Sequence, residues 1–156
     1  MASTHWPTFR REESPHGTTG GFLAKILRNE GKGLLVEDAS QKLPGVASGR
    51  LAWGDYNNDA AVDLLVVGQL PDGSGFARLF RNDPPGTLRE DTAIQLEGAR
   101  ASSATWGDYD GDGWLDLAIC RFNPVRNERV TTLYHNEGGA LRSAFSLTGV
   151  QGGTLA

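Results

Sequence analysis

Apolar positions in this chain fall into short runs of two kinds. Val62-Asp63-Leu64-Leu65-Val66-Val67 and Leu115-Asp116-Leu117-Ala118-Ile119-Cys120 are nearly continuous, the pattern of a strand covered on both faces. Phe76-Ala77-Arg78-Leu79-Phe80 alternates instead, as a half-buried strand does. Gly49-Arg50-Leu51-Ala52-Trp53 precedes the first run, and Thr87-Leu88-Arg89-Glu90-Asp91-Thr92 follows the alternating one. Together they predict a unit of four short strands. Between the third and fourth strands stands a turn cluster: Asn29-Glu30-Gly31-Lys32-Gly33, Asn82-Asp83-Pro84-Pro85-Gly86 or Asn136-Glu137-Gly138-Gly139. Asn and Gly supply the side-chain bond to backbone and the positive φ that tight hairpins need, so the Asn reads as a turn residue. No amphipathic helical period of useful length is present.

The unit repeats. Leu51-Ala52-Trp53-Gly54-Asp55-Tyr56 returns as Ala104-Thr105-Trp106-Gly107-Asp108-Tyr109, 53 positions on. Ala77 to Asp83 matches Ala24 to Glu30 at the same spacing, and Thr131 to Glu137 is a third copy. Leu43-Pro44-Gly45-Val46 recurs as Leu96-Glu97-Gly98-Ala99 and as Leu147-Thr148-Gly149-Val150. Four strands at a period near fifty describe the blades of a β-propeller, whereas leucine-rich and helical repeats need leucine ladders or helices.

The expected fold is therefore all-β, a β-propeller made of four-stranded blades, with about three blade equivalents in the chain. Residues 1–21 form an N-terminal segment in which Trp6 to Arg10 could serve as a substitute strand. Residues 22–48 are the later half of a blade, 49–101 and 102–148 are complete repeats, and 149–156 is the first strand of a further blade. Propellers close with four to eight blades. Three equivalents are thus expected to close by self-assembly, as a dimer giving a six-blade ring, or to belong to a longer propeller.

The loop between the first and second strands carries the chemistry. Asp108, Asp110, Asp112 and Asp116 stand at positions 1, 3, 5 and 9, with Gly113 at position 6. Two like charges about 4 Å apart cost about 4 kcal/mol at an effective dielectric near 20, so a compact loop of four carboxylates calls for a cation. Hard oxygen donors with no neighbouring His or Cys in the sequence point to Ca²⁺, with Mg²⁺ or Mn²⁺ as alternatives. The expected ligands are those four side chains and the backbone carbonyl of Trp114. An EF-hand would close with Glu at position 12; here that position is Ile119 and Asp116 closes the loop. The sister loop offers Asp55, Asn57, Asp59, the carbonyl of Ala61, and Asp63. Asn57 removes a charge, and Ala60 stands where Gly113 does. Alanine at positive φ costs roughly 1 kcal/mol or more, so this second site is expected to bind less tightly.

Composition narrows the remaining classes. The net charge is −4, which two bound divalent ions would cancel. Lys and Arg are scattered, which gives no nucleic-acid surface. No apolar stretch approaches the ~20 residues of a membrane span, and the start has neither the basic nor the apolar region of a signal peptide. Cys120 reads as a small buried hydrophobe. His5, His16 and His135 are dispersed without metal or triad spacing, and Ser102-Ser103 has no partner base. Trp53 and Trp106 occupy equivalent positions and read as blade packing. Trp114 has Ala61 as its counterpart and reads as a partly exposed contact residue.

Trp106-Gly107-Asp108-Tyr109-Asp110-Gly111-Asp112-Gly113-Trp114-Leu115-Asp116-Leu117, with the Leu-x-x-Asn-x-Gly turn that follows, resembles the FG-GAP/VCBS repeat family, the blades of integrin-α-like β-propellers. The likeness covers roughly Phe22 to Ala156. It implies Ca²⁺ in both loops and a propeller used in extracellular or cell-surface adhesion or recognition, or attached to secreted enzymes. Ala60, Pro84-Pro85, the missing signal peptide and the short blade count depart from the family pattern. The expected function is a non-enzymatic, Ca²⁺-binding propeller module for structural assembly or extracellular-type recognition, with a protein or glycan ligand. The alternative is a carbohydrate-binding or enzyme-associated propeller.

Overall fold

The computed structural model describes residues 5–11, 22–100 and 103–148. These residues form strands, turns and loops, with no helix among them. The strands are β1 (His5–Arg11), β2 (Phe22–Gly31), β3 (Leu34–Glu37), β4 (Ala47–Gly54), β5 (Asp63–Gln69), β6 (Gly75–Asn82), β7 (Leu88–Glu90), β8 (Ser103–Gly107), β9 (Asp116–Asn123), β10 (Glu128–Asn136) and β11 (Leu141–Thr148). They make three antiparallel sheets in chain order: β1-β2-β3, then β4-β5-β6-β7, then β8-β9-β10-β11. Each four-stranded sheet is a meander, consistent with a propeller-like blade.

The strands expected of the repeat fall on β4, β5, β6 and β7, with small differences at the ends. β7 stops at Glu90, earlier than Thr92. The Asp91 side chain turns back to accept the Ala93 N–H at 3.0 Å, the bond by which Asp initiates a turn. The first sheet takes β1 as the neighbour of β2, with Trp6 opposite Leu27 and Phe9 opposite Ala24. The strand expected at 149–156 lies outside the described residues, as does His16.

Packing explains why the second strand of the repeat reads as a continuous apolar run. Leu64, Leu65, Val66 and Val67 of β5 are all fully buried, but on opposite faces. Leu64 and Val66 join Ile26, Val46 and Phe80 in the core between the first and second sheets. Leu65 and Val67 join Leu117, Ile119 and Tyr134 in the core between the second and third. Period-two side-chain geometry assigns alternate residues to the two cores. Trp53 packs into the first core and Trp106 against the second, so both tryptophans serve packing as expected. Cys120 is buried. Among the described residues no helix is long and apolar enough to cross a membrane.

Truncating one residue of this shared sheet tests the packing. Leu65→Ala should destabilise the fold by about 3 kcal/mol through lost transfer energy plus a cavity, read as a lower midpoint in urea denaturation. A change below about 1 kcal/mol would mean that the two sheets do not pack across Leu65.

Candidate metal centre

The chain leaves β8 at Gly107, bends through residues 108–115 and re-enters the sheet as β9 at Asp116. Asp108 organises the bend. Its Oδ1 accepts the N–H groups of Gly111 at 2.7 Å and Asp112 at 3.1 Å, and its Oδ2 accepts that of Gly113 at 2.9 Å. Asp110 Oδ1 accepts the Asp112 N–H at 3.3 Å, and Asp112 Oδ1 that of Trp114 at 2.8 Å. Gly111 (φ +78°) and Gly113 (φ +88°) supply the left-handed backbone that lets the carboxylates converge. Asp116 is buried, and its Oδ2 accepts the Tyr109 N–H at 3.0 Å. Carboxylate oxygens of Asp108, Asp110 and Asp116 all lie within 4.8 Å of one another, as do ligand atoms of Asp110, Asp112 and His135.

His135 corrects the sequence reading, which placed no histidine near this loop. Antiparallel pairing sets Tyr134 opposite Leu117, which carries the next residue of β10 to Asp116 at the mouth of β9. His135 Nδ1 lies 3.1 Å from Asp116 Oδ1 and 3.5 Å from Asp110 Oδ2. A ring nitrogen facing two carboxylate oxygens carries the proton and donates. Tyr109 packs edge-on against the same ring at 5.8 Å. The signal in the sequence was the position directly before the repeated Asn, but only strand register turns that position into proximity.

The sister loop repeats the scheme with weaker parts. Asp55 Oδ1 and Oδ2 accept the N–H groups of Asp59 at 3.1 Å and Ala60 at 3.0 Å, and Asp59 Oδ1 accepts that of Ala61 at 2.8 Å. Asn57 turns its amide nitrogen onto Asp59 Oδ2 at 2.8 Å, so the residue that replaces Asp110 also occupies a carboxylate oxygen. Asn58 (φ +53°) and Ala60 (φ +68°) hold the left-handed conformations that glycines hold in the other loop, as the sequence predicts for Ala60. Asp63 is fully buried; its Oδ1 accepts the Asn82 N–H at 2.9 Å, and the Tyr56 backbone also faces the carboxylate. Burial pushes its carboxyl up to about 6, and the Asp59 and Asp55 charges add to the rise against the backbone bonds of Asn82 and Tyr56. Arg81 takes the register position opposite Asp63 that His135 takes opposite Asp116.

The repeated Asn does more than shape its turn. Asn136 is fully buried. Its backbone N–H donates to Asp116 Oδ1 at 2.8 Å and its Oδ1 accepts the Gly139 N–H at 2.7 Å. Its side-chain nitrogen donates to Leu115 O at 2.8 Å and, across the sheet interface, to Tyr56 O at 2.7 Å. Asn82 makes the corresponding turn bond to Gly86 at 2.6 Å and donates to Val62 O at 3.1 Å, the latter exposed. Asn58 also crosses between loops, donating to Gly113 O at 3.2 Å. The two loops therefore lie side by side.

The donor set fits a hard cation. It consists of carboxylate and amide oxygens, with those of Asp108, Asp110 and Asp116 crowded at like charge. A sequence model of the FG-GAP-like repeat matches residues 55–119. The chain carries an FG-GAP-like repeat. That span opens on Asp55 and ends inside β9, so the FG-GAP-like match takes in both acidic loops and the strands joining them. No curated protein and no solved structure matches the chain.

Two substitutions follow from this geometry. Asn136→Ala would strand the carbonyls of Leu115 and Tyr56, and should cost about 2–4 kcal/mol against roughly 1 for Asn82→Ala, whose carbonyl partner is exposed. Chemical denaturation of the two variants side by side measures the difference, and equal costs would refute the cross-sheet role of Asn136. Ala60→Gly should stabilise by about 1 kcal/mol by removing left-handed strain. Loss of stability on that change would show the strain to be absent.

Proposed function

We propose that this protein is a non-enzymatic, Ca²⁺-binding FG-GAP-like propeller module that serves structural assembly or extracellular-type recognition. The observation that carries the reading is the convergence of Asp108, Asp110 and Asp116 within 4.8 Å. In this reading one ion is held by Asp108, Asp110, Asp112 and Asp116 with the carbonyl of Trp114. A second is held more weakly by Asp55, Asn57, Asp59 and Asp63 with the carbonyl of Ala61. The bound ion supplies charge compensation, so that each loop rigidly joins the first strand of its sheet to the second.

A flexible set of mixed carboxylate and carbonyl oxygens suits Ca²⁺ better than Mg²⁺, which demands near-octahedral geometry and gives up water reluctantly. His135 acts from outside the ligand set, its N–H holding the Asp116 carboxylate in the orientation that an ion needs. The loop carboxylates are engaged by turn amides, by the Asn57 side chain and by His135, an arrangement for holding an ion rather than for proton transfer to a substrate. Closure into a propeller needs four to eight blades, which two such chains would provide.

Thermal melting with and without Ca²⁺ tests the reading. At about 100 times its dissociation constant a ligand stabilises by about 2.7 kcal/mol, or roughly 5–10 °C for a chain of this size. EDTA should lower Tm by that order, and Asp112→Ala should remove most of the difference. An unchanged melt in EDTA would sink the proposal.

A further inference from the structure

The two acidic loops carry different charge, and one divalent ion balances only one of them. The sister loop has three carboxylates, Asp55, Asp59 and Asp63, with Arg81 in register with the last. Three carboxylates and one guanidinium give −2, which a single divalent ion cancels. The other loop has four carboxylates, and the position matching Arg81 is His135, which adds no permanent charge. Four carboxylates less one divalent ion still leave −2. Like charges held this close repel strongly, so the remaining charge calls for a further cation.

That excess charge lies beside a ring nitrogen. His135 Nδ1 stands 3.5 Å from Asp110 Oδ2, and ligand atoms of Asp110, Asp112 and His135 all lie within 4.8 Å of one another. A tetrahedral ion with bonds of about 2.1 Å to nitrogen and oxygen holds neighbouring donors about 3.4 Å apart. The His135–Asp110 pair is thus already at coordination spacing, and a side-chain rotation of Asp112 completes the set. Asp110 and Asp112 are exposed and His135 is half-buried, which leaves the ion an approach from solvent and room for water as a further ligand.

The three donors are held from behind. β10 carries His135 between the buried Tyr134 and Asn136, and Tyr109 packs edge-on against the ring at 5.8 Å. Backbone amides set the two carboxylates: the Asp112 N–H donates to Asp110 Oδ1 at 3.3 Å and the Trp114 N–H to Asp112 Oδ1 at 2.8 Å. The sister loop lacks two of the three donors. Asn57 stands in place of Asp110 and turns its amide nitrogen onto Asp59 Oδ2. Arg81 stands in place of His135, and a guanidinium, always protonated, has no lone pair to give. Only Asp59 is left there.

We propose that the mouth of the Asp108 loop binds a first-row divalent transition ion, with Zn²⁺ as its type, through His135 Nδ1 and one oxygen each of Asp110 and Asp112. An imidazole nitrogen selects for such ions, whereas Ca²⁺ and Mg²⁺ take all-oxygen sets. On ligation the neutral ring keeps its one proton at Nε2, and Nδ1 gives a lone pair to the ion in place of an N–H to Asp116. Asp110 and Asp112 then serve two ions, Ca²⁺ within the loop and the transition ion at its mouth, and the four carboxylates are matched in charge. The inference rests on the Ca²⁺ reading for that balance; the ring nitrogen is what sets the second site apart.

Zn²⁺ titrated calorimetrically into the full chain in saturating Ca²⁺ should fill one His135-dependent site per chain. His135→Asn keeps a side-chain N–H to face Asp116 but has no ring nitrogen, so it should weaken Zn²⁺ by about tenfold or more and Ca²⁺ far less. In the wild-type chain, Co²⁺ at the same site should shift the NMR resonances of the His135 ring, a measurement that depends on no variant. Zn²⁺ affinity unchanged in His135→Asn, equal loss of both ions, or His135 resonances unmoved by Co²⁺ would each overturn the site. A His135-dependent Zn²⁺ site in a protein whose Tm does not respond to Ca²⁺ would uphold it and overturn the Ca²⁺ reading alone.

Discussion

The hydrogen bonds that meet at Asp116 and Asn136 fix more of this structure than any other group of contacts. The carboxylate closes its loop by accepting from Tyr109 and from Asn136, and the asparagine side chain ties Leu115 of the same sheet to Tyr56 of the preceding one. A polar cluster this deep is stable only when every member is matched, because an unpaired buried group costs more than a bond gains. Loop shape, turn shape and the docking of two sheets are thereby made conditional on one another. A change in the acidic loop is felt at the sheet interface through a few short bonds, with no rearrangement of the apolar core.

Between the second and third sheets this polar contact is backed by a larger apolar one. Tyr56 stacks on Trp106, and its hydroxyl donates to Asp91 at 2.5 Å. Burial and the Asp91 carboxylate both hold the phenol firmly in its protonated, donating form. The hydrophobic layers decide how closely the sheets approach, and the polar ends decide in which register. Apolar burial alone is non-directional, so the aspartate–asparagine and tyrosine–aspartate bonds are what make one stacking arrangement better than its slipped neighbours.

Much of this was legible in the sequence because it depends on local periodicity. The near-continuous run at Leu64–Val67 and the alternation at Phe76–Phe80 mark strand burial directly, although Val62 at the head of the run lies before β5 and is exposed; the 53-residue spacing places equivalent positions without knowledge of the fold. Ala60 was readable as left-handed because its counterpart is a glycine, and its φ is +68°. His135 was not readable. Its link to Asp116 spans 19 residues and exists only through the pairing of β9 with β10. The cross-sheet bond of Asn136 spans 80 residues, and no local pattern encodes it; the sequence revealed only the turn role that Asn29, Asn82 and Asn136 share. Long-range polar contacts are where pattern reading fails, since they follow from register and stacking together.

The two loops differ in ways that all act in one direction. The Asp55 loop has an amide in place of one carboxylate, a strained alanine in place of a glycine, and an arginine in register with its closing aspartate where the other has a histidine. Each change lowers negative charge or raises backbone cost at that loop. Yet Asp63 is fully buried, and that burial pushes its carboxyl up, an arrangement that costs free energy unless a positive charge or a proton meets it. Asp116 meets the same burial differently, with Tyr109, Asn136 and His135 engaging both of its oxygens. The better-formed loop is therefore held by its own chain before any ion arrives, whereas the poorer one depends more on what it binds. Affinity and structural dependence need not run in parallel: the site that should bind an ion less tightly is the one whose fold has more to gain from it.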